Sequence, residues 1–242
     1  MNFLRLLINV ILPPRCLKCG KVLSMQNGLC ADCFNKIAFI SEPLCYRCGR
    51  PFTDEMNLKS GVKQLCGACL KEKHPLFAMR RSAFLYDDES KKLILDFKFK
   101  DKTYSAETLA NMLYGAGSDI WSENPDLIVP VPVHWKRLLK RRYNQSALLV
   151  KYLSLKTSVP ADYSSLIRKQ NTIPQVQLTG VARRRNLRQA FAVKYPQNIK
   201  GKKVVLIDDV ETTGSTLNEC AKVLKKAGAA KIYALTLART EN

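Results

Sequence analysis

The chain has 242 residues, 46% of them apolar, and its 40 basic against 20 acidic residues give a net charge of +20. That length accommodates one large domain, or a small module and a medium one, and the apolar fraction is that of an ordinary globular protein. The longest apolar run is too short to span a bilayer, which excludes a transmembrane helix, and the charge points to polyanionic partners: nucleic acid, phosphorylated ligands or an anionic membrane.

The apolar run is Phe3 to Leu12, interrupted by Arg5 and Asn9. Pro13, Pro14 and Arg15 follow it where a signal peptide would need a small-x-small cleavage site. The run is therefore expected to form a short helix docked on the protein or making a peripheral membrane contact. The chain is expected to be cytoplasmic.

Eight of the nine cysteines form Cys-x-x-Cys pairs: Cys16/Cys19, Cys30/Cys33, Cys45/Cys48 and Cys66/Cys69. Each such turn aims two thiolates at one point, and two turns complete a tetrahedral zinc site. Thiol redox chemistry is the competing use of the motif. Ten residues separate the first two pairs and seventeen the last two. Sequential pairing gives two tandem ribbons and interleaved pairing a cross-braced module; the sequential arrangement is preferred. Four thiolates per ion leave no open position, so about two zinc ions are expected, with a structural role. Gly20 and Gly49 follow the second cysteine of their pairs and permit a close backbone approach. Thr53 to Lys63 reads as a loop. The small module, residues 1–74, needs metal staples because its core is small.

From residue 75 to 242 the pattern alternates between strand and helix. Strands are expected at Ser82–Tyr86, Leu127–Val133, Val204–Ile207 and Ile232–Ala238. Helices are expected at Ala106–Tyr114, Gln145–Leu155 and Ser215–Lys226, with Asn144 and Gln145 capping the second. This alternation implies an α/β fold, a parallel sheet with helices on both faces. Pro130 and Pro132 bracket a strand end.

The most informative stretch runs from Val204 to Thr216. A buried strand delivers Asp208 and Asp209 to its carboxyl end, where open α/β sheets bind ligands. Thr212, Thr213, Gly214, Ser215 and Thr216 follow, and a helix begins. Hydroxyls and N–H groups there suit a phosphate. The two acids suit the vicinal hydroxyls of a ribose, or magnesium held through water. A merely capped strand–helix turn would account for one hydroxyl residue, not for two acids and four hydroxyls. No Gly-Lys-Ser/Thr of a nucleoside-triphosphate loop is present.

Val204 to Thr216 resembles the phosphoribosyl-diphosphate signature of type I phosphoribosyltransferases. Taken with Leu127–His134, Arg137, Arg141 to Gln145, Arg168 to Gln175, Arg183 to Asn186 and the cysteine module, the chain resembles the ComF family of bacterial competence-associated proteins. Arg142-Tyr143, where Gly-Phe is expected, and Gln189, where Gly is usual, depart from its pattern. The resemblance implies a loop that holds the 5′-phosphate, an acidic pair on the ribose, and magnesium with the diphosphate. Beside the resemblance, the turn at Val133 and His134 is expected next to the phosphate loop on the pyrophosphate side, where Arg137 suits pyrophosphate or a nucleic-acid backbone. The resemblance itself implies that Thr172, Gln175 and Arg184 lie in a loop that closes over the site. It also implies a part in natural transformation, with single-stranded DNA and the DNA-uptake machinery as partners. Tyr104 and Tyr143 are candidate stacking surfaces for DNA bases. The alternative is an active phosphoribosyltransferase of nucleotide salvage or related metabolism, in which the ribbons are only a brace.

Overall fold

The computed structural model describes residues 13–24, 28–52, 63–99, 103–133, 143–169 and 190–241. The apolar run at 3–12 and the loop at 53–62 lie outside the described residues. The strands are β1 (Met79–Leu85), β2 (Leu127–Pro130), β3 (Leu166–Arg168), β4 (Phe191–Val193), β5 (Lys203–Glu211) and β6 (Lys231–Arg239). The helices are α1 (Ala31–Asn35), α2 (Gly67–Lys71), α3 (Asp88–Phe99), α4 (Ala106–Ala116), α5 (Ser118–Trp121), α6 (Gln145–Thr157) and α7 (Ser215–Lys226).

Four strands form a parallel sheet in the order β1-β6-β5-β2, and β3 and β4 form a separate antiparallel pair. The central strands β5 and β6 are buried on both faces, and their alternation divides the core in two. Val205, Ile207, Tyr233, Leu235 and Leu237 face a cluster built with α3, α4 and α6. Val204, Leu206, Ile232 and Ala234 face a second cluster built with α7 and the β3–β4 pair. Helices therefore cover both faces, as expected of a parallel sheet.

The long strands β5 and β6 outrun their expected limits because their ends remain paired: Val210 with Ala238, and Glu211 with Arg239. By contrast, β2 stops at Pro130 and lies at the edge of the sheet, where a missing N–H does least harm. Helix α6 is capped as expected by Asn144, whose Oδ1 accepts from the N–H groups of Ser146 and Ala147 at 3.0 and 3.4 Å. Gln145 is not a cap. It is buried, and its Nε2 donates to the Lys98 carbonyl at 3.1 Å.

Helix α3 is an element the sequence pattern did not bring out. Its start is a reciprocal box: the Ser90 N–H donates to Asp87 Oδ1 at 2.7 Å, and the Asp87 N–H donates to Ser90 Oγ at 3.0 Å. Leu93, Ile94 and Phe97 then bury one face in the first core cluster.

The outer edge of β1 is covered by the cysteine module. Ile40 N–H donates to the Ala83 carbonyl, Leu85 N–H to the Ala38 carbonyl, and Arg80 N–H to the Arg47 carbonyl. An open parallel edge would expose these groups as a template for another strand. Among the described residues no helix is long and apolar enough to cross a membrane.

Candidate functional site

The eight paired cysteines gather into two tetrads, Cys16/Cys19/Cys30/Cys33 and Cys45/Cys48/Cys66/Cys69, and within each tetrad the sulfurs lie within 4.8 Å of one another. The pairing is thus sequential, and all nine cysteines are free of disulfides. Sulfurs at ~2.3 Å from a tetrahedral zinc ion stand about 3.8 Å apart. The Cys19–Cys30 and Cys48–Cys66 sulfurs are each 3.7 Å apart, so both tetrads fit zinc.

The two ribbons repeat one another closely. The Gly20 N–H donates to the Cys16 carbonyl and the Gly49 N–H to the Cys45 carbonyl, and bridges Arg15–Val22 and Leu44–Pro51 flank the two knuckles. Backbone N–H groups also point at sulfur, from Cys30 to Cys16 at 3.4 Å and from Cys66 to Cys45 at 3.3 Å. Burial opposes ionisation of Cys16, yet the N–H groups of Cys19, Cys30 and Lys18 outweigh it and hold the thiol at about 6. Burial and then the neighbouring thiols push Cys33 up to about 12. In the second tetrad a hydrogen bond from Cys48 leads in holding Cys45 at about 4, while burial leads in pushing Cys69 up to about 11. Four adjacent thiols cannot all ionise alone; a dication at their centre is what permits four thiolates. The tetrads are consistent with two structural zinc ions and have no open position for chemistry.

The second candidate site lies at the carboxyl end of β5. The chain leaves the strand at Glu211, turns through Thr212 to Gly214, and enters α7 at Ser215. Gly214 has φ +68°, the left-handed region, and no side chain caps the helix start. Asp208, Val210, Glu211 and the whole run from Thr212 to Leu217 line a depression open to solvent, with about 270 Å³ of empty space. Thr213 Oγ1 and Ser215 Oγ are 2.7 Å apart across its rim. From below, the loop is tied to the end of β6: the Thr240 N–H donates to the Glu211 carbonyl, and Thr240 Oγ1 donates to the Thr212 carbonyl at 3.1 Å.

The structure brings Asp208 together with the loop and turns Asp209 elsewhere. Asp208 Oδ1 accepts from Ser146 Oγ at 3.1 Å and from the Asp209 N–H at 2.9 Å. Burial, and then the charge on Asp209, push the Asp208 carboxyl up to about 7. Asp209 Oδ1 is 3.1 Å from Lys98 Nζ, a pair whose side chains are mostly buried. Lys98 is itself fixed through the end of α3: Tyr143 Oη donates to the Phe97 carbonyl at 2.6 Å, and Gln145 to that of Lys98. These bonds satisfy carbonyls that a helix end leaves without partners.

Lys98 and Ser146 are site residues that sequence reasoning missed. Lys98 is one of several lysines in its segment, and no spacing marks it. Val133 is described but does not line the depression. His134, Arg137, Thr172, Gln175 and Arg184 lie outside the described residues. Tyr143 is spent on the end of α3, whereas Tyr104 is half exposed.

A model of the double zinc ribbon domain matches residues 7–75, and a model of the phosphoribosyl transferase domain matches residues 144–241. Competence protein F of Haemophilus influenzae is 36% identical over 231 residues, covering 93% of this chain and 96% of that one. DNA utilization protein YhgH of Escherichia coli O157:H7 is 32% identical, with 94% and 98% covered. Among solved structures, glutamine phosphoribosylpyrophosphate amidotransferase from B. subtilis is similar at a TM-score of 0.41 and 16% identity, covering 59% of this chain and 30% of that one. Because the similarity to Competence protein F runs through both the ribbons and the sheet, the chain belongs to the ComF family.

Proposed function

We propose that the protein binds phosphoribosyl diphosphate at the end of β5 and uses this site in DNA utilisation during natural transformation. The observation that carries the reading is the convergence of Asp208 with the hydroxyl-rich turn Thr212–Thr216 at the start of α7. The turn offers N–H and hydroxyl donors to a 5′-phosphate. Asp208 and Asp209 accept from the ribose hydroxyls once Asp209 parts from Lys98. Magnesium accompanies the diphosphate, which Val133, His134 and Arg137 flank in this proposal. The assignments of His134, Arg137, Thr172, Gln175 and Arg184 rest on the sequence pattern. The division into a ribbon module, residues 1–74, and a ligand-binding domain, residues 75–242, belongs to the same proposal.

The DNA side of the proposal is supported by the names of the relatives, Competence protein F and DNA utilization protein, and by the charge of +20. Single-stranded DNA and the uptake machinery are the proposed partners, at the cytoplasmic face of the membrane, with residues 3–12 as the peripheral contact. Phosphate contacts make such binding largely independent of sequence and steeply dependent on salt.

Titration calorimetry with phosphoribosyl diphosphate and magnesium tests the ligand site. Replacing both Asp208 and Asp209 with Ala should weaken binding by roughly 2–4 kcal/mol, at ~1–2 per lost hydrogen bond. Unchanged affinity in a folded double variant would overturn the site. Pyrophosphate release with a defined nucleobase would instead establish a phosphoribosyltransferase of nucleotide metabolism.

A further inference from the structure

The phosphate loop contains a feature that works against its proposed ligand. Glu211 lines the depression, and its Oε1 is 3.1 Å from the position a Cβ would take on Gly214. A carboxylate so close to a bound phosphate would repel it. At ~5 Å in a protein surface environment, the repulsion of two unit charges costs on the order of a hundredfold in affinity.

The charge is met from β1. Arg80 donates to Glu211 Oε1 at 2.5 Å, and Glu211 is almost entirely buried, its side chain only 6% exposed. The same guanidinium nitrogen is 3.4 Å from the Gly214 Cβ position, so both members of the pair lie against the turn. Further contacts hold Arg80, whose side chain is mostly buried. Its guanidinium lies over the Phe77 ring, 5.4 Å from the centroid. Its N–H donates to the Arg47 carbonyl at 2.7 Å, and its own carbonyl abuts Gly49 of the second cysteine knuckle.

We propose that Arg80 is a positioning residue of the phosphoribosyl-diphosphate site: it neutralises Glu211 beneath the loop and fixes that carboxylate, so that the turn can accept an anion. The inference rests on the ligand reading above. It adds a residue from outside the segment matched by the phosphoribosyl transferase model, and it makes the second ribbon the seat of that residue.

The test is calorimetry with phosphoribosyl diphosphate and magnesium on the full-length, zinc-loaded protein, as wild type, Arg80→Met, Glu211→Gln and the double variant. Arg80→Met should bind on the order of tenfold more weakly or worse, because it leaves a buried carboxylate unpaired beside the ligand. Adding Glu211→Gln should restore affinity to within about threefold of wild type, since the two effects are coupled rather than additive. Equal binding by wild type and Arg80→Met overturns the proposal and leaves the ligand reading intact. A double variant as weak as Arg80→Met also overturns it, because the role of Arg80 is then not the neutralisation of Glu211. A wild-type protein that binds no ligand removes both readings together. If Arg80→Met fails to melt cooperatively, Glu211→Gln alone decides: binding equal to wild type or tighter supports the proposal, and weaker binding overturns it.

Discussion

The two cysteine ribbons are built alike and attached differently. In the first, Leu17 enters the main core, and the ribbon meets α3 through side chains: Lys18 pairs with Glu89, and Lys92 Nζ donates to the Lys18 carbonyl. In the second, contact is largely to backbone at the sheet edge. Arg239 donates to the Cys48 carbonyl at 2.6 Å, Arg80 N–H to the Arg47 carbonyl at 2.7 Å, and Gly49 lies against the Arg80 carbonyl. One motif used twice therefore makes one module that rests on the domain and one that is joined to strands β1 and β6 of the sheet. A metal knuckle fixes backbone groups rigidly, which makes it a good partner for a sheet edge, itself a row of backbone groups.

The sharpest way to break this contrast is to remove one ion at a time. Cys69→Ser and Cys33→Ser should each lower zinc content from about two ions per chain to about one, as elemental analysis would read. Thermal or denaturant unfolding should then separate them. Loss of the second tetrad frees the partners of Arg239 and Arg80 and should destabilise the sheet by roughly 2–6 kcal/mol more than loss of the first, taking ~1–3 for each of these two groups left unsatisfied. Equal losses would mean that the attachment of the second ribbon adds nothing to the sheet.

Glycine substitutions sharpen the same point without touching the ligands. Gly20 and Gly49 occupy equivalent places with φ of +80° and +66°. Around Gly20 nothing lies within 4 Å of an added Cβ, whereas at Gly49 that atom would be 2.4 Å from the Arg80 carbonyl oxygen. Gly20→Ala should cost only the left-handed strain, about 1–2 kcal/mol. Gly49→Ala adds a clash with backbone and should cost about 3 kcal/mol or more. It should also weaken phosphoribosyl-diphosphate binding, because it displaces the strand that presents Arg80. Chemical denaturation and calorimetry on the pair would check both effects.

The smallest expected difference is between two cationic tethers. Arg239→Met removes a buried bond to the Cys48 carbonyl and should cost about 2 kcal/mol. Lys92→Met removes an exposed bond to the Lys18 carbonyl together with the i,i+4 pair to Asp96 and should cost about 1 kcal/mol or less. Denaturation midpoints at low and moderate salt would rank them.

Much of this was legible in the chain. Cys-x-x-Cys spacing is a local geometric constraint, so the eight ligands fall into four pairs on sequence alone, and the fold then joins the pairs in sequential order. Helix α7 runs from Ser215 to Lys226 as its apolar spacing predicts, because Leu217, Ala221 and Leu224 must share one buried face. Helix α3 could have been found, since Asp87-Asp88-Glu89-Ser90 opens it and Leu93, Ile94 and Phe97 follow at helical spacing. Gln145 looks like a second cap because it is a polar residue beside a good one; its amide is instead bound to the Lys98 carbonyl at the end of α3, a helix that stands out in the sequence only weakly.

Four Cys-x-x-Cys pairs, the parallel α/β class and the acid-rich strand end before a hydroxyl-rich turn are readable without the fold, since each is written in residues close together along the chain, whereas the grouping of the pairs into two tetrads is set by the fold. Tertiary structure alone decided which acid faces the loop and what the acids meet. Lys98 reaches Asp209, Ser146 reaches Asp208, and Arg80 reaches Glu211 across 131 positions. Long-range polar contacts of this kind leave no periodic or spacing signal, because a polar or charged side chain on a helix or edge strand reads the same whether or not a partner folds against it.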